Sequence, residues 1–207
     1  TTFDQWDACA ADGKCPKVSN DDLGRADRPV INVAWNDAKT FIAWLSEKTG
    51  KKHRLLSEAE FEYAARGGTK TAWFYGVAED SYGSREACKF ANLHDESGKK
   101  AHPNYVWSHH LCEDGFGETA PVGKYKPNPF GLHDMIGNLR EWVEDCHGPY
   151  KEAPADGSAK VSDDCEKRIV RGGGWMKGPT TSRSAYRHPI PATFRNYQVG
   201  FRVARDL

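Results

Sequence analysis

Six cysteines are the residues of this chain with the widest range of chemistry, because a thiol can act as a nucleophile, a metal ligand or half of a disulfide. None forms a Cys-x-x-Cys pair, and none has a zinc-finger spacing to histidine. The even count, falling as three successive pairs, predicts nearest-neighbour disulfides, although other connectivities and six buried thiols in a cytosolic protein stay open. The predicted pairs are Cys9–Cys15, Cys88–Cys112 and Cys146–Cys165.

Histidines form the second group that could do chemistry. His109 and His110, with His94 and His102 nearby, could bind a transition metal inside the predicted Cys88–Cys112 loop. The polar segment 94–104 is more typical of a solvated loop, so we do not predict a functional site there. No nucleophile elbow, Walker loop or His-Glu-x-x-His motif is present in the sequence.

Oxygen-bearing side chains surround a glycine turn in the segment FGLHDMIGNLREW, where Asp134 and Glu141 flank the turn. Calcium takes six to eight oxygen ligands in flexible geometry, and mixed carboxylates and backbone carbonyls suit it. The alternative is that these residues only cap their own turn, as Asp and Asn often do. The pattern favours a calcium site.

Length and charge exclude several classes of protein. The 207 residues are enough for one well-buried core, and 29 basic residues balance 29 acidic ones, which gives no reason to expect nucleic acid as a partner. No apolar run reaches the length of a transmembrane span, and no signal peptide is visible. Disulfides indicate an oxidising compartment, so we expect a periplasmic or extracellular protein whose signal was cleaved before Thr1.

Short helices and strands are predicted on either side of a long irregular segment. Three helices are indicated: one capped by Thr2 and Gln5 and stopped at Gly13, one capped by Asn36 and ended by Gly50, and one capped by Ser57 and Glu60 and ended by Gly67. Strands are predicted over 31–34, 168–171, 182–186 and 199–203. The segment 70–165 shows little periodicity and would need disulfides or metals to be ordered. These features predict one irregular α+β domain.

Four stretches together resemble the sulfatase-modifying-factor family, to which the formylglycine-generating enzymes belong. They are RPVINVAWNDAKTFIAWLSEKTGKKHRLLSEAEFEYAARGG (28–68), TAPVGKYKPNPFGLHDMIGNLREWVED (119–145), RIVRGGGW (168–175) and VGFRVAR (199–205). The resemblance implies a loop-rich variant of the C-type-lectin fold over residues 1–207 as a single domain. The strand segment with which the family domain usually opens is missing before Thr1, so we expect a piece of a longer protein.

The resemblance also implies one or two calcium ions. One site takes the side chains of Asp134 and Glu141 with the carbonyls of Gly137 and Leu139. The other takes the side chains of Asn92 and Asp114 with the carbonyls of Leu93 and Phe116. Every side-chain ligand position keeps an oxygen-bearing residue, as a hard cation requires.

Two cysteines that bind copper in active family members are absent here. In those enzymes they follow the strand that RIVRGGGW resembles, and they convert a sulfatase cysteine to formylglycine. Lys177 stands where the first would be expected, and an amine does not replace the soft thiolate that selects Cu(I). The extra helical domain of the ergothioneine-type relatives is absent too. We therefore expect no copper and no formylglycine-generating oxidase.

A ligand groove is the remaining site that the resemblance implies. Aromatic and basic side chains are the usual anchors of a recognition surface, although ordinary core packing explains the aromatics equally well. We predict a binding or structural module for a protein or small-molecule ligand. The alternatives are a periplasmic enzyme of other chemistry, as in siderophore-maturation relatives, with Tyr186, Arg187 or His188 as acid–base groups, and a subunit of a larger assembly. The groove residues are Trp175, Met176, Lys177, Tyr186, Arg187, His188, Arg195 and Tyr197.

Overall fold

The computed structural model of the chain describes residues 1–76 and 84–206. These residues fall into two compact units. The first unit comprises Thr1–Phe61, Glu141–Arg171 and His188–Leu207, and the second comprises Glu62–Arg140 and Gly172–Arg187. Within the described ranges, every helix is too short or too polar to cross a membrane.

Helices α1 (Phe3–Ala11) and α2 (Trp35–Thr49) belong to the first unit. The predicted capping box of α1 is confirmed, because the Thr2 hydroxyl accepts from the Gln5 amide and the Gln5 side chain accepts from the Thr2 amide. The prediction that Asn36 caps α2 is wrong. Ala34 is the N-cap, and its amide donates to the Asp37 carboxylate at 2.7 Å, so Asn36 lies inside the first turn.

Helix α3 (Glu58–Arg66) begins as the sequence predicts. The Ser57 hydroxyl accepts from the Glu60 amide at 3.1 Å, and the Glu60 carboxylate accepts from the Ser57 amide at 2.8 Å. The second unit also contains α4 (Glu96–Ala101), which Asp95 caps by accepting from the Gly98 amide at 2.8 Å. This short helix lies in a segment predicted to be irregular.

Four strands form the main sheet in the order β4-β3-β2-β5, and β1 pairs with β6 in a separate antiparallel ladder. Strands β2 and β3 are antiparallel, with an irregularity between Trp142 and Cys146. The strands are β1 (His53–Arg54), β2 (Arg140–Cys146), β3 (Lys167–Arg171), β4 (Arg187–Pro191), β5 (Val199–Phe201) and β6 (Ala204–Arg205).

Two strand predictions are wrong and two are confirmed with adjusted ends. Residues 31–34 form no ladder, because Asn32 has a left-handed backbone with φ of 60° that interrupts the extended conformation. Residues 182–186 form turns, and the strand begins only at Arg187. The predictions near 168–171 and 199–203 correspond to β3 and β5.

Aromatic rings fill the core of the first unit. Trp6 stacks on Phe41 at 5.8 Å between ring centroids, and Phe201 packs edge-on against Phe41 at 5.4 Å. The buried indole of Trp142 donates to the Val33 carbonyl at 3.0 Å, which ties β2 to the segment before α2. Burial of several large rings in one cluster stabilises this unit.

All three predicted disulfides are present: Cys9–Cys15, Cys88–Cys112 and Cys146–Cys165. Each closes a loop within one unit. The second unit adds an apolar cluster of Trp73, Ala87, Ala91, Leu93 and Ile136 beside the Cys88–Cys112 bridge. The result is a mixed α/β fold with few short helices and strands, in which bridges and small apolar clusters order the loops.

Candidate functional site

Asn92, Leu93, Asp114 and Phe116, here called the Asn92 cluster, lie together in the second unit. The Asp114 carboxylate accepts from the backbone amides of Leu93 and Phe116, each at 2.8 Å. The Asn92 side chain is fully buried, and its NH2 group donates to the Glu118 carbonyl at 2.7 Å. Among the described residues, the Asn92 Oδ1 atom has no hydrogen-bond partner.

A second carboxylate, that of Asp95, lies beside the Asn92 cluster. Oxygens of Asp95 and Asp114 fall within 4.8 Å of each other and of the Cys88 sulfur, which is held in its disulfide. Burial, and then the charge of Asp95, raise the pKa of the Asp114 carboxyl to about 7. Burial also raises the pKa of Asp95. Two like charges that are shielded from water repel unless a proton or a cation is shared between them.

The Asn92 cluster fits a hard cation. A buried carboxamide oxygen without a partner, the buried Asp95 carboxylate and the partly buried Asp114 carboxylate are oxygen ligands of the kind that calcium prefers. A calcium ion held there by Asn92 and Asp114 would supply positive charge that offsets the repulsion between the acids and would fix the surrounding loops.

The turn at Gly137, which belongs to the other predicted calcium site, is hydrogen-bonded to the backbone of Asn92. The Asn138 amide donates to the Asn92 carbonyl at 2.7 Å, and the Gly137 amide donates to the Gly172 carbonyl at 2.8 Å. Asp134 also belongs to the second unit, and its carboxylate accepts from the Gly123 amide at 2.7 Å. The buried Leu139 follows the turn.

Glu141 belongs to the first unit, where its carboxylate already has a cationic partner. Arg202 donates to both oxygens, from Nε at 2.5 Å and from Nη2 at 2.9 Å. A calcium ion at the predicted Asp134 and Glu141 site would share Glu141 with this guanidinium. The predicted site at Asp134 and Glu141 thus differs from the Asn92 cluster in that one of its carboxylates is paired with an arginine.

The expectation of a solvated loop over 94–104 is wrong at its first residues. His94, Asp95 and His110 are fully buried, and the His110 amide donates to the His94 carbonyl at 2.8 Å. Burial lowers the pKa of His94 and of His110 to about 4, so both imidazoles are neutral near pH 7. The segment is ordered because the Cys88–Cys112 bridge closes it.

Four rings form a continuous row in the second unit, here called the ring stack: Trp107, Tyr105, His102 and Trp175. Successive centroids are 4.4, 4.8 and 5.5 Å apart. The Trp107 indole donates to the Met176 carbonyl at 3.1 Å. Sequence analysis missed Tyr105 and Trp107, because their alternation in an irregular loop gives no helical or strand pattern.

Lys177, in the position expected for the first copper-binding cysteine, follows the buried residues Trp175 and Met176. The turn is fixed by hydrogen bonds from the Lys177 amide to Gly174 and from the Trp175 amide to Asn138, each at 2.9 Å. Because every cysteine of the chain is in a disulfide, none supplies the free thiolate that Cu(I) selects.

The remaining predicted groove residues divide between the units. Tyr186 and Arg187 belong to the second unit, and His188, Arg195 and Tyr197 to the first. Arg195 donates to the Asp37 carboxylate at 2.8 Å, at the start of α2. Arg195 thus has a structural partner, and a groove containing all of these residues stays a prediction.

The family of the chain follows from comparison with known proteins. The profile described as "Sulfatase-modifying factor enzyme 1-like domain" matches residues 3–207. The chain belongs to this family, as its motifs predict.

Two curated relatives and one solved structure illustrate the similarity. The formylglycine-generating enzyme of Streptomyces coelicolor is 34% identical over 197 residues, which cover 92% of this chain and 57% of that protein. The "Inactive C-alpha-formylglycine-generating enzyme 2" of Bos taurus is 32% identical, over 72% of this chain and 38% of that protein. The solved structure of PvdO from Pseudomonas aeruginosa is 36% identical with a TM-score of 0.80, and covers all of this chain and 77% of that one. The chain spans only about half the length of the curated relatives it matches.

Proposed function

We propose that this chain is a non-oxidising, calcium-stabilised member of the family that acts as a binding or structural module in the periplasm or outside the cell. The observation that carries the proposal is the state of the cysteines. All six are bridged, and a lysine stands in the position expected for the first copper ligand. Copper–oxygen chemistry of the family's type needs thiolates that this chain does not offer.

Calcium binding is supported by the Asn92 cluster. Asn92 Oδ1 is buried without a partner, and the buried Asp95 carboxylate lies close to the partly buried Asp114 carboxylate, which is of like charge. A bound cation would give the Asn92 oxygen a partner and would offset the repulsion between the two carboxylates. The bridged cysteines support a location in an oxidising compartment, and the similarity to an inactive relative of formylglycine-generating enzyme makes a non-oxidising role plausible for this fold.

A peptide-conversion assay tests the non-oxidising role. The purified chain, loaded with copper under aerobic conditions, is incubated with a peptide containing Cys-x-Pro-x-Arg, and formylglycine is measured by mass spectrometry. The Streptomyces coelicolor enzyme provides the positive control. We expect no conversion above the enzyme-free reaction. Robust formylglycine formation would overturn the proposal.

Thermal unfolding tests whether the chain binds calcium at the Asn92 cluster. Saturating calcium should raise the midpoint of the chelator-treated protein by about 5 °C or more, since a ligand at a hundred times its Kd adds about 2.7 kcal/mol. Asp114→Asn removes a predicted ligand and should abolish most of this shift. Asp163→Asn, at an exposed position, is the matched control and should respond like the native chain. An equal shift in both variants would contradict the Asn92 cluster as the site.

A further inference from the structure

Three apolar side chains of the second unit are exposed together, and they are here called the exposed tip: Tyr63, Phe130 and Leu132. Tyr63 is 69% exposed, Phe130 44% and Leu132 38%. The ring centroids of Tyr63 and Phe130 are 5.3 Å apart, and Leu132 lies in the same turn as Phe130. Single exposed apolar side chains are common, whereas a contiguous group of them marks a surface that binds a partner.

A buried asparagine fixes the backbone of the exposed tip. The Asn128 Oδ1 atom accepts from the amides of Phe130 and Leu132 at 3.0 and 3.1 Å. The Asn128 NH2 group donates to the Ala64 carbonyl at 2.6 Å, which ties the turn to the helix that carries Tyr63. The apolar side chains are therefore presented by a held backbone, and a partner that covers them pays little for ordering the turn.

Two lysines lie on the segment that enters this turn. The chain folds back on itself, because the Asn128 amide donates to the Leu132 carbonyl at 2.9 Å. Lys124 and Lys126 stand on either side of Tyr125, whose side chain is buried, and both lysines are exposed. The entering segment therefore adds two cations to the surface that carries the exposed tip.

A third lysine, Lys70, follows the end of α3. A Cβ atom on Gly68 would lie 3.8 Å from the Phe130 ring, which places the segment after α3 beside the exposed tip. Within residues 1–76 and 84–206, the ammonium groups of the three lysines make no hydrogen bond or ion pair. Arg66, in the last turn of α3, is instead neutralised by Glu62 at 2.8 Å. The surface around the exposed tip therefore has an excess of positive charge.

Area and charge together indicate what covers the exposed tip. A fully covered aromatic side chain buries about 150–250 Å², so the exposed parts of these three side chains offer apolar surface on the order of 300 Å². A stable protein interface buries roughly 800 Å² on each partner. An anionic lipid surface needs only a few aromatic side chains at the level of the headgroups, with lysines beside them. The chain has no net charge, so any such attraction comes from local cations.

From this geometry we infer that the exposed tip and its three lysines bind the surface of a membrane that contains anionic phospholipids. The rings of Tyr63 and Phe130 enter the boundary between headgroups and acyl chains, and the ammonium groups lie against the lipid phosphates. The inference goes beyond the proposed function, because it adds a membrane partner for the module. It requires neither calcium nor the loss of oxidase chemistry.

Sedimentation with vesicles tests the contact. The purified chain is mixed with vesicles of phosphatidylcholine alone, or of phosphatidylcholine with phosphatidylglycerol, and the bound fraction is measured at increasing lipid with and without calcium. We expect binding to the anionic vesicles to be at least about tenfold stronger than to the neutral ones, because each lysine near an anionic surface adds attraction. Raising the salt concentration should weaken this binding, because the Debye length shortens.

An aromatic variant assigns the binding to the exposed tip. Phe130→Ala removes an apolar anchor and should weaken binding to the anionic vesicles by about tenfold or more. Phe194→Ala, at a phenylalanine of the first unit that is 39% exposed, is the matched control and should bind like the native chain. Because Asn128 holds the backbone of the turn, Phe130→Ala should leave the fold intact, which circular dichroism checks.

A charge variant tests the lysines in the same assay. Replacing Lys124 and Lys126 together by glutamine should weaken binding to the anionic vesicles by about tenfold or more and reduce its dependence on salt. Replacing Lys17 and Lys151 together by glutamine makes the same change in net charge at exposed positions of the first unit. This matched control should bind like the native chain.

Three results would overturn the inference. The first is no binding to anionic vesicles at millimolar lipid, and the second is equal binding by the native chain and Phe130→Ala. The third is a dimer in analytical ultracentrifugation that Phe130→Ala dissociates, without vesicle binding, because the exposed tip would then be covered by a second copy of the chain. None of these results changes the outcome of the peptide-conversion assay. Conversely, formylglycine formation with normal vesicle binding would refute only the non-oxidising role.

Discussion

Gly137 shows how one residue fixes the geometry around the Asn92 cluster. Its backbone has φ of 85°, a conformation that side chains rarely adopt, and a Cβ atom there would overlap the Asn92 carbonyl oxygen. The hydrogen bond from the Asn138 amide to that same carbonyl depends on this close approach. Position 137 therefore requires a glycine, both because of its positive φ and because the Asn92 carbonyl leaves no room for a side chain.

Substitution of Gly137 separates these two requirements. Gly137→Ala should lower the free energy of unfolding by about 3 kcal/mol, because it combines backbone strain with a backbone clash. Gly131→Ala provides the control, since Gly131 has φ of 77° but open space around it, and should cost only about 1 kcal/mol. Urea denaturation measures both. Equal losses would show that the contact with Asn92 contributes nothing.

The individual residues of the candidate site were only partly predictable from sequence. Asn92 and Asp114 are identified through the family motifs, and the structure brings them together. Asp95 was missed, because an acidic residue before a short helix is typical of an N-cap, and it does cap α4. Its second role becomes visible only in the structure, where the charge of Asp95 helps to raise the pKa of Asp114.

At the scale of elements, local signals predicted the helices better than the strands. Capping boxes and a left-handed Gly50 are short-range features, and the structure confirms them. Strand β4 contains two prolines, which argue against a strand in sequence but are tolerated at a sheet edge, where this strand lies. Strand β2 was missed because its sequence REWVEDC does not alternate cleanly and its ladder with β3 is irregular.

The Cys88–Cys112 bridge is the element-scale feature that orders the His94 to His110 segment. Replacing both cysteines by alanine should lower the free energy of unfolding by about 3 kcal/mol, since the bridge closes a loop with a sequence separation of 24 residues. Amide hydrogen exchange in α4 should accelerate as well, because this helix lies inside the loop.

Removal of the Cys9–Cys15 bridge is the matched control for that experiment. This bridge closes a much shorter loop in the first unit, so its loss should cost about 2 kcal/mol and leave exchange in α4 unchanged. If both double variants accelerated exchange in α4 equally, the bridges would act on global stability rather than on their own loops.

For the molecule as a whole, the pattern of disulfides agrees with the pattern of compact units. Cys9–Cys15 and Cys146–Cys165 lie within the first unit, and Cys88–Cys112 lies within the second. Each bridge joins two cysteines that are consecutive along the chain. All six cysteines are therefore bonded within their own unit, and the two units are joined covalently only by the backbone.

This consecutive pairing has a consequence for how the protein is made. When a chain enters an oxidising compartment from its amino terminus, each cysteine meets its native partner before the next pair emerges, so oxidation in order of arrival gives the correct bridges. We expect export into a bacterial periplasm lacking disulfide isomerase to give a normal yield with no free thiols, as measured with a thiol-reactive dye in denaturant. Mispaired bridges found by peptide mapping would contradict this expectation. On this expectation, correct pairing of the cysteines requires an oxidant but no isomerase.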